Sequence, residues 1–186
     1  MEKARAERTA CGKAPEIATS RCNCRYNDRV PFVIRDLRPE DFETLWRIDQ
    51  LCFPPGVSYS RQELRLYIRG RSSFTLVAED DKTCEIAGFI VAHNGAAGHI
   101  ITIDVVESAR RSGLGSTLLQ AAEDRLRAAG SQAVNLETAV DNRGALAFYK
   151  RHGYSVVGSR SRYYPNGVDA LSMKKSLDSA GMGRKL

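Results

Sequence analysis

The chain has 186 residues, of which 42% are hydrophobic and 27% charged, and its formal net charge is +6. This length provides one domain with a substantial core, and the composition is that of an ordinary globular protein rather than a disordered chain. The sequence has no apolar run of 18 residues and no apolar signal-peptide core, so we predict a cytoplasmic protein with no membrane partner.

The two ends of the chain differ from its middle. Residues 1–30 are rich in Ala, Arg, Lys, Ser and Cys without helical or strand periodicity, which predicts a flexible extension. Residues 178–186 form a polar tail, and we assign the globular domain to residues 31–177.

The cysteines include no Cys-x2-Cys pair, so we expect reduced thiols and no metal site. They are Cys11, Cys22, Cys24, Cys52 and Cys84.

In the first part of the domain, hydrophobic periodicity predicts a strand, two helices and a hairpin. Pro39 suits the first turn of a helix, and Ser60 with Glu63 forms a capping box for another. Between the helices, Pro54 and Pro55 enforce a loop, which is either a packed connector or a wall of a substrate groove. The predicted elements are a strand at Phe32–Leu37, helices at Glu40–Cys52 and from Ser60 onward, and strands at Phe74–Glu79 and Ile86–Ala92.

The most informative stretch is a strand, a basic glycine-containing loop and a helix in succession. The β-branched run His99–Val106 predicts the strand, and apolar residues at helical spacing predict a helix over Ser116–Ala129, ended by Gly130. Backbone N–H groups at the start of such a helix point outward at the positive end of its dipole, which suits a phosphate group. The loop lacks the lysine of a P-loop and the third glycine of a dinucleotide-binding fingerprint, so both are excluded.

The last part of the domain is predicted to add three strands and a helix. Alternation places Glu137 in the middle of a strand, where a carboxylate is costly unless it faces water or a cleft. The complete order, β α α β β β α β α β β, begins as an antiparallel meander and ends in α/β units. The predicted elements are a strand at Ala133–Val140, a helix from Asn142 to Gly153, and strands at Tyr154–Val157 and Asp169–Met173.

Three blocks of the sequence resemble the GNAT superfamily of N-acetyltransferases. Arg110-x-x-Gly113-x-Gly115, behind a Val-Val strand end, resembles that superfamily's acyl-CoA pyrophosphate loop. The segments Leu136–Tyr154 and Tyr163–Ala170 resemble its second and third blocks. The combination looks most like the branch of ribosomal-protein-alanine and N-terminal α-amine acetyltransferases. The resemblance implies an α/β (α+β) fold of GNAT type, with a mixed, mostly antiparallel seven-stranded sheet flanked by about four helices.

The resemblance also implies acetyl-CoA as the donor and the N-terminal α-amine of a protein as the acceptor. Glu137 matches the family's general base, and Tyr149 matches its general acid. His99 matches a position held by Tyr or His in some N-terminal acetyltransferases, although a solvent-facing turn histidine fits the sequence equally well. The cofactor contacts that carry over by position are Ile103, Asp104, Val105, Arg110, Arg111, Ser112, Gly113, Leu114, Gly115, Ser116 and Asn142.

The chemistry of acetyl transfer constrains these roles independently. An α-amino group titrates near ~7.7–8.0, so a base needs to remove one readily released proton from it. A tyrosine of reference pKa ~10 would give its proton to a thiolate of pKa ~8.5 at a cost of about 2 kcal/mol, which favours Tyr149 as a hydrogen-bond donor. We expect Cys52 and Cys84 to lie away from the loop, which disfavours a covalent intermediate and favours a ternary complex.

The sequence departs from the family pattern at several positions. Asp104 stands where the pattern usually has Ala, so its side chain either places a charge near the thioester or lies on the other face of the sheet. Glu107 replaces a usual Pro, and Ala139 replaces a usual Arg. The alternatives are therefore a small-amine acetyltransferase and a non-catalytic acyl-CoA-binding module. No basic patch interleaved with aromatic residues is present, so nucleic acid is not expected as a partner, and we expect a monomer or a homodimer.

Overall fold

The computed structural model describes residues 32–177, which contain seven strands and four α-helices in the predicted order. Two short 3-10 turns, Pro39–Asp41 and Glu107–Ala109, precede the first and third helices. The predicted fold class is therefore confirmed. In chain order the elements are β1 (Phe32–Asp36), α1 (Phe42–Cys52), α2 (Arg61–Arg69), β2 (Ser73–Asp80), β3 (Ile86–His93), β4 (Ala97–Val105), α3 (Leu114–Ala128), β5 (Ala133–Ala139), α4 (Arg143–Arg151), β6 (Ser155–Arg160) and β7 (Ala170–Ser176).

Most element boundaries lie within two residues of the predicted ones, and the largest differences are in the last hairpin. The sixth strand was expected to end at Val157 but continues to Arg160, and β7 continues past Met173 to Ser176. Antiparallel pairing of β6 with β7 extends both strands, because each backbone group gains a partner that the local sequence does not show. The predicted capping box is present, since Ser60 N donates to Glu63 and Glu63 N donates to the Ser60 hydroxyl.

The strands form one sheet in the order β1-β2-β3-β4-β5-β7-β6, and every neighbouring pair is antiparallel except β4 and β5. The parallel pairing of β4 with β5 covers only Ala97–His99 against Ala133–Asn135. Beyond these residues β4 continues to Val105 while β5 continues along β7 to Ala139. The two strands therefore diverge in the middle of the sheet, and we call the space between them the β4–β5 cleft.

Helices cover both faces of the sheet. The α3–α4 face buries Leu118, Leu119 and Leu126 of α3 against residues such as Ile90 and Leu136 of the strands. The α1–α2 face buries a smaller cluster of six residues, Leu45, Ile48, Leu64, Val77, Phe89 and Val91. Because apolar layers lie on both sides, the central strands and the cleft between them are held rigidly.

Several expectations concern parts of the chain outside the described residues. These are the flexible extension at residues 1–30, the polar tail at residues 178–186, and the thiols of Cys11, Cys22 and Cys24. Within residues 32–177, no helix is long and apolar enough to cross a membrane.

Candidate active site

The loop from β4 into α3 presents a row of unpaired backbone donors. Gly113 adopts a left-handed φ of 94° and Arg111 a φ of 62°, which a non-glycine residue rarely adopts unless its surroundings enforce it. Leu114 N donates to the Ser112 hydroxyl. Within residues 32–177, the N–H groups of Gly113, Gly115 and Ser116 have no hydrogen-bond acceptor. These donors lie at the positive end of a 15-residue helix, an arrangement that suits a phosphate group.

Contacts within the chain do not explain the glycine at position 115. A Cβ atom added there would lie 3.5 Å from Phe148 Cε2 and 3.9 Å from Val105 Cγ2, which are ordinary packing distances. The protein itself would therefore accept alanine at this position, and a ligand approaching the backbone is the remaining physical reason for glycine. Leu114, by contrast, is fully buried in the core, so only its backbone faces the loop.

The Arg110 side chain lies against the end of β4. Its Nε donates to the Val105 carbonyl over 3.0 Å, and its Nη2 lies 3.6 Å from Cys52 Sγ. The Cys52 thiol also donates to the Val105 carbonyl over 3.4 Å. Cys52 was expected to lie away from the loop, and that expectation is wrong, because the end of α1 packs against the end of β4. Burial raises the pKa of the Cys52 thiol, with a smaller contribution in the same direction from Asp104, so this thiol stays protonated.

A β-bulge in β4 determines which side chains face each helical layer. Val91 of β3 pairs with Thr102 and Ala92 with Ile100, so Ile101 has no partner in this register. Asp104 consequently shares the α1–α2 face with its partner Phe89. Ile103 and Val105, the other two predicted contacts on this strand, pack against the opposite layer.

Two carboxyl groups are buried on the α1–α2 face. Asp104 accepts from the Thr102 hydroxyl at 3.1 Å through Oδ1, and its Oδ2 has no donor among the described residues. Asp49 of α1 accepts from Tyr59 N at 2.8 Å and from Gln50 Nε2 at 2.9 Å through Oδ2, and its Oδ1 also lacks a described donor. Burial raises the pKa of Asp49 to about 6 and, together with the charge of Asp49, raises that of Asp104.

Glu137 lies on β5 at the cleft, on the same face as His99. Only 7% of its side chain is exposed, so it is not a surface glutamate. His99 Nε2 lies 2.8 Å from Glu137 Oε2, Arg160 Nη2 lies 3.2 Å from Oε1, and the Ser172 hydroxyl donates to Oε1 over 3.4 Å. The structure thus places His99 in contact with the predicted base. Three donors from three different strands hold this carboxylate in one position.

Tyr149 lies on the opposite face of the sheet from Glu137. It is buried in the α3–α4 layer, where its ring packs edge-on against Phe148 and Tyr154. Burial raises its pKa, and the nearby charge of Asp104 raises it further. The predicted base and acid therefore lie on opposite faces of the sheet. Asn142 caps α4 by accepting from Ala145 N at 3.0 Å, and its amide N–H groups donate to no residue in the range 32–177.

Two loops meet above the cleft on the α1–α2 face. A Cβ atom on Gly56, in the loop between α1 and α2, would lie 3.7 Å from Asn166 Cβ in the loop between β6 and β7. The first loop contributes Tyr59, whose hydroxyl donates to the Ile101 carbonyl over 3.4 Å. The second contributes Tyr164, whose pKa is raised to about 12 by burial and by neighbouring charges that include Glu137. These two loops therefore pack against each other, with Tyr59 held at Ile101 of β4 and Tyr164 near Glu137.

Sequence reasoning missed three polar residues of this site, namely Asp49, Arg160 and Ser172. Asp49 precedes a proline-containing loop, and a buried acid that caps such a loop leaves only a weak signal in the sequence. Arg160 and Ser172 reach Glu137 through the β5–β7–β6 pairing, which no local pattern shows.

Residues 42–154 of the chain match the family described as the Acetyltransferase (GNAT) family. N-alpha-acetyltransferase 30 of Schizosaccharomyces pombe is 33% identical over 119 residues, which cover 61% of this chain and 78% of that protein. An N-alpha-acetyltransferase of Sulfurisphaera tokodaii is 30% identical over 160 residues, which cover 77% of this chain and 92% of the relative.

Solved structures share the same architecture. Ard1 from Thermoplasma volcanium superposes with a TM-score of 0.72 at 28% identity, covering 79% of this chain and 98% of that one. The ribosomal-protein-S18-alanine N-acetyltransferase from Escherichia coli shares the fold, with a TM-score of 0.70 at 24% identity over 83% of this chain and 99% of its own. With its diverging central strands, its glycine loop and these sequence matches, the chain belongs to the GNAT family of acetyltransferases and is an acyltransferase.

Proposed function

We propose that this protein transfers the acetyl group of acetyl-CoA to the N-terminal α-amine of a protein, by direct attack in a ternary complex. The observation that supports the proposal is that Glu137 and Tyr149 lie on opposite faces of the sheet. Acetyl transfer needs a proton acceptor at the amine and a hydrogen-bond donor at the sulfur, and these residues provide one on each face. Relatives named N-alpha-acetyltransferases support the choice of acceptor.

The residues present fit acetyl-CoA, which supplies an activated acyl group as a thioester. The unpaired N–H groups of Gly113, Gly115 and Ser116, with the nearby Arg111 side chain, would hold the diphosphate. The backbone of Ile103–Val105 lies along the part of β4 that diverges from β5, and it would form hydrogen bonds with the pantetheine arm. Asn142, whose amide N–H groups have no acceptor among the described residues, lies at the start of α4.

On the α1–α2 face, Glu137 accepts the proton of the attacking amine. The amine nitrogen forms the new C–N bond and releases one proton, which moves to the Glu137 carboxylate directly or through a water molecule. His99 and Arg160 hold the two carboxylate oxygens, so that the carboxylate keeps a fixed position as the amine enters.

On the α3–α4 face, Tyr149 donates a hydrogen bond to the departing sulfur. Its raised pKa means that the hydroxyl keeps its proton while the thiolate forms, so it stabilises the negative charge without transferring the proton. The raised pKa of Cys52 supports direct transfer, because a protonated thiol is a poor nucleophile for a covalent acetyl intermediate.

Steady-state kinetics of Glu137→Gln test the proposal. We expect kcat with an Ala-starting peptide to fall by about 10²- to 10³-fold, while the Kd for acetyl-CoA measured by calorimetry stays unchanged. The matched control is Glu85→Gln, at an exposed glutamate beside the β2–β3 turn, which should behave as the wild type.

The acceptor is tested with three substrates, namely the Ala-starting peptide, the same peptide with a blocked N-terminus and an internal lysine, and spermidine. Turnover of the first alone supports the proposal. Turnover of spermidine alone would establish the small-amine alternative. Binding of acetyl-CoA without turnover of any acceptor would establish a non-catalytic module.

A further inference from the structure

His152, at the end of α4, contacts the first turn of α3. Its Nε2 lies 2.9 Å from the Ser116 hydroxyl, and its Nδ1 lies 2.8 Å from the Phe148 carbonyl. The imidazole also packs against the Phe148 ring at a centroid distance of 4.4 Å. The same ring lies next to Gly115. A titratable side chain is thus in direct contact with a predicted diphosphate-binding residue.

The hydrogen bonds determine where the protons lie. A carbonyl oxygen can only accept, so Nδ1 of His152 carries a hydrogen in both charge states. In the neutral imidazole Nε2 is therefore a lone pair, and the single hydroxyl hydrogen of Ser116 must point at it. The Ser116 oxygen then presents only lone pairs outward, and these repel a phosphate oxygen.

Protonation of the imidazole reverses this contact. Nε2–H now donates to the Ser116 oxygen, and the hydroxyl hydrogen is free to turn outward toward an anion. Ser116 is half-buried at the start of α3, next to the unpaired N–H groups of the loop. The charge state of His152 therefore determines whether the Ser116 hydroxyl can donate to a phosphate.

We expect ligand binding, and not a neighbouring charged group within residues 32–177, to determine the charge state of His152. Among residues 32–177, no carboxylate lies within ion-pair distance of its ring. On its own helix the adjacent charged residues are Lys150 and Arg151, and the Arg151 guanidinium lies 5.9 Å from the Phe148 ring. From α3 the group in contact is the neutral Ser116 hydroxyl, and Arg111 lies in the loop that precedes this helix.

We propose that His152 is a positioning residue that takes up a proton when the cofactor diphosphate binds beside Ser116, so that cofactor affinity rises as the pH falls. The inference rests on the proposed function, because it places acetyl-CoA at this loop. Solvent supplies the proton, an N–H bond forms at Nε2, and the Ser116 O–H bond stays intact while it rotates toward the phosphate.

Calorimetry with acetyl-3′-dephospho-CoA tests this coupling. This ligand lacks the phosphomonoester that titrates near pH 6 and has no free thiol, so its own groups release or bind few protons near pH 7. Binding heats measured in buffers of different ionisation enthalpy give the number of protons taken up. For the wild type we expect uptake of up to one proton per ligand, and a Kd that rises with pH by up to about tenfold per pH unit.

Three variants separate proton coupling from packing. His152→Gln keeps a hydrogen-bonding side chain that does not titrate. Ser116→Ala removes the hydroxyl but keeps the imidazole. Neither variant should take up a proton when the ligand binds. Thr117→Ala is the matched control, because the Thr117 hydroxyl donates to the Gly113 carbonyl and not to His152, and its uptake should equal that of the wild type.

Uptake that persists in folded His152→Gln, or wild-type binding without uptake, would overturn the inference and leave the proposed acetyl transfer standing. Absence of any binding of acetyl-CoA to the wild type would instead overturn the proposed function and this inference together.

Discussion

The unfolding free energy of an Asp49→Asn variant, measured relative to that of the wild type, should be higher at neutral pH than at acid pH. The Asp49 side chain is fully buried, and Oδ1 lacks a donor among the described residues. Burial raises the pKa of its carboxyl from 3.8 to about 6, against the opposing effect of hydrogen bonds from Tyr59 and Gln50. The folded state therefore binds this proton more tightly than the unfolded state does.

The sign and size of the effect follow from linkage. The contribution of a carboxyl with a raised pKa is fully favourable below about pH 3.8 and is lost as the pH rises through about 6. A shift from 3.8 to about 6 corresponds to about 3 kcal/mol of unfolding free energy over the whole range, of which about 1.4 kcal/mol falls between pH 5 and pH 8. Asparagine does not titrate, so the variant does not lose this unfolding free energy as the pH rises.

Urea unfolding of the wild type and of Asp49→Asn at pH 5, 6, 7 and 8 measures the difference directly. The stability of the variant relative to the wild type should rise by at least about 1.4 kcal/mol from pH 5 to pH 8, because loss of the Asp49 charge also relieves the raised pKa of Asp104. Any constant cost of the asparagine amide cancels in this comparison. Asp81→Asn, in the exposed β2–β3 turn, is the control and should give a flat difference. A flat profile for Asp49→Asn would refute the claim that this carboxyl is buried with an unpaired oxygen.

Three further substitutions test the packing and the loop. Gly88→Ala should lower the unfolding free energy by about 1–3 kcal/mol, because its Cβ would lie 2.5 Å from the Asp104 carbonyl oxygen. Gly158→Ala, with open space around the added Cβ, is the control. Equal urea midpoints for the two variants would contradict the stated geometry. Ser60→Ala should cost about 1 kcal/mol in the same assay through loss of the capping box at α2, and an unchanged midpoint would show that the cap contributes nothing. Gly115→Ala should keep or raise the melting temperature while weakening acetyl-CoA binding by about tenfold or more, and unchanged affinity measured by calorimetry would remove the ligand as the reason for this glycine.

Elements with strong local signals could be predicted from the sequence. The capping box at Ser60, the alternation around Glu137 and the helix after the glycine loop each depend on residues within a few positions of one another. The order of strands and helices follows from these signals, and the resemblance to GNAT proteins implies a mixed, mostly antiparallel seven-stranded sheet, whereas the strand order comes from the structure. The role of each site residue in cofactor binding and catalysis stays a prediction.

Contacts between distant parts of the chain could not be predicted in this way. Cys52 meets Arg110 because the end of α1 packs on the end of β4, and Arg160 meets Glu137 because β7 lies between their strands. His152 meets Ser116 across two helices. Each contact depends on how elements pack in three dimensions, and no periodicity in the sequence reports that packing.

The side-chain direction of Asp104 shows how one irregularity changes the chemistry of a site. Strict alternation from His99 would place residue 104 on the same face as Ile100, in the layer beneath α3. The bulge at Ile101 inserts one residue without a partner and moves Asp104 to the face of Phe89 and α1. The carboxyl is thereby buried near Asp49 and Cys52, while the strand backbone beside it still borders the cleft. An aspartate at a usual alanine position is therefore compatible with an acyl-CoA site in this protein, because the bulge turns its carboxyl group toward α1.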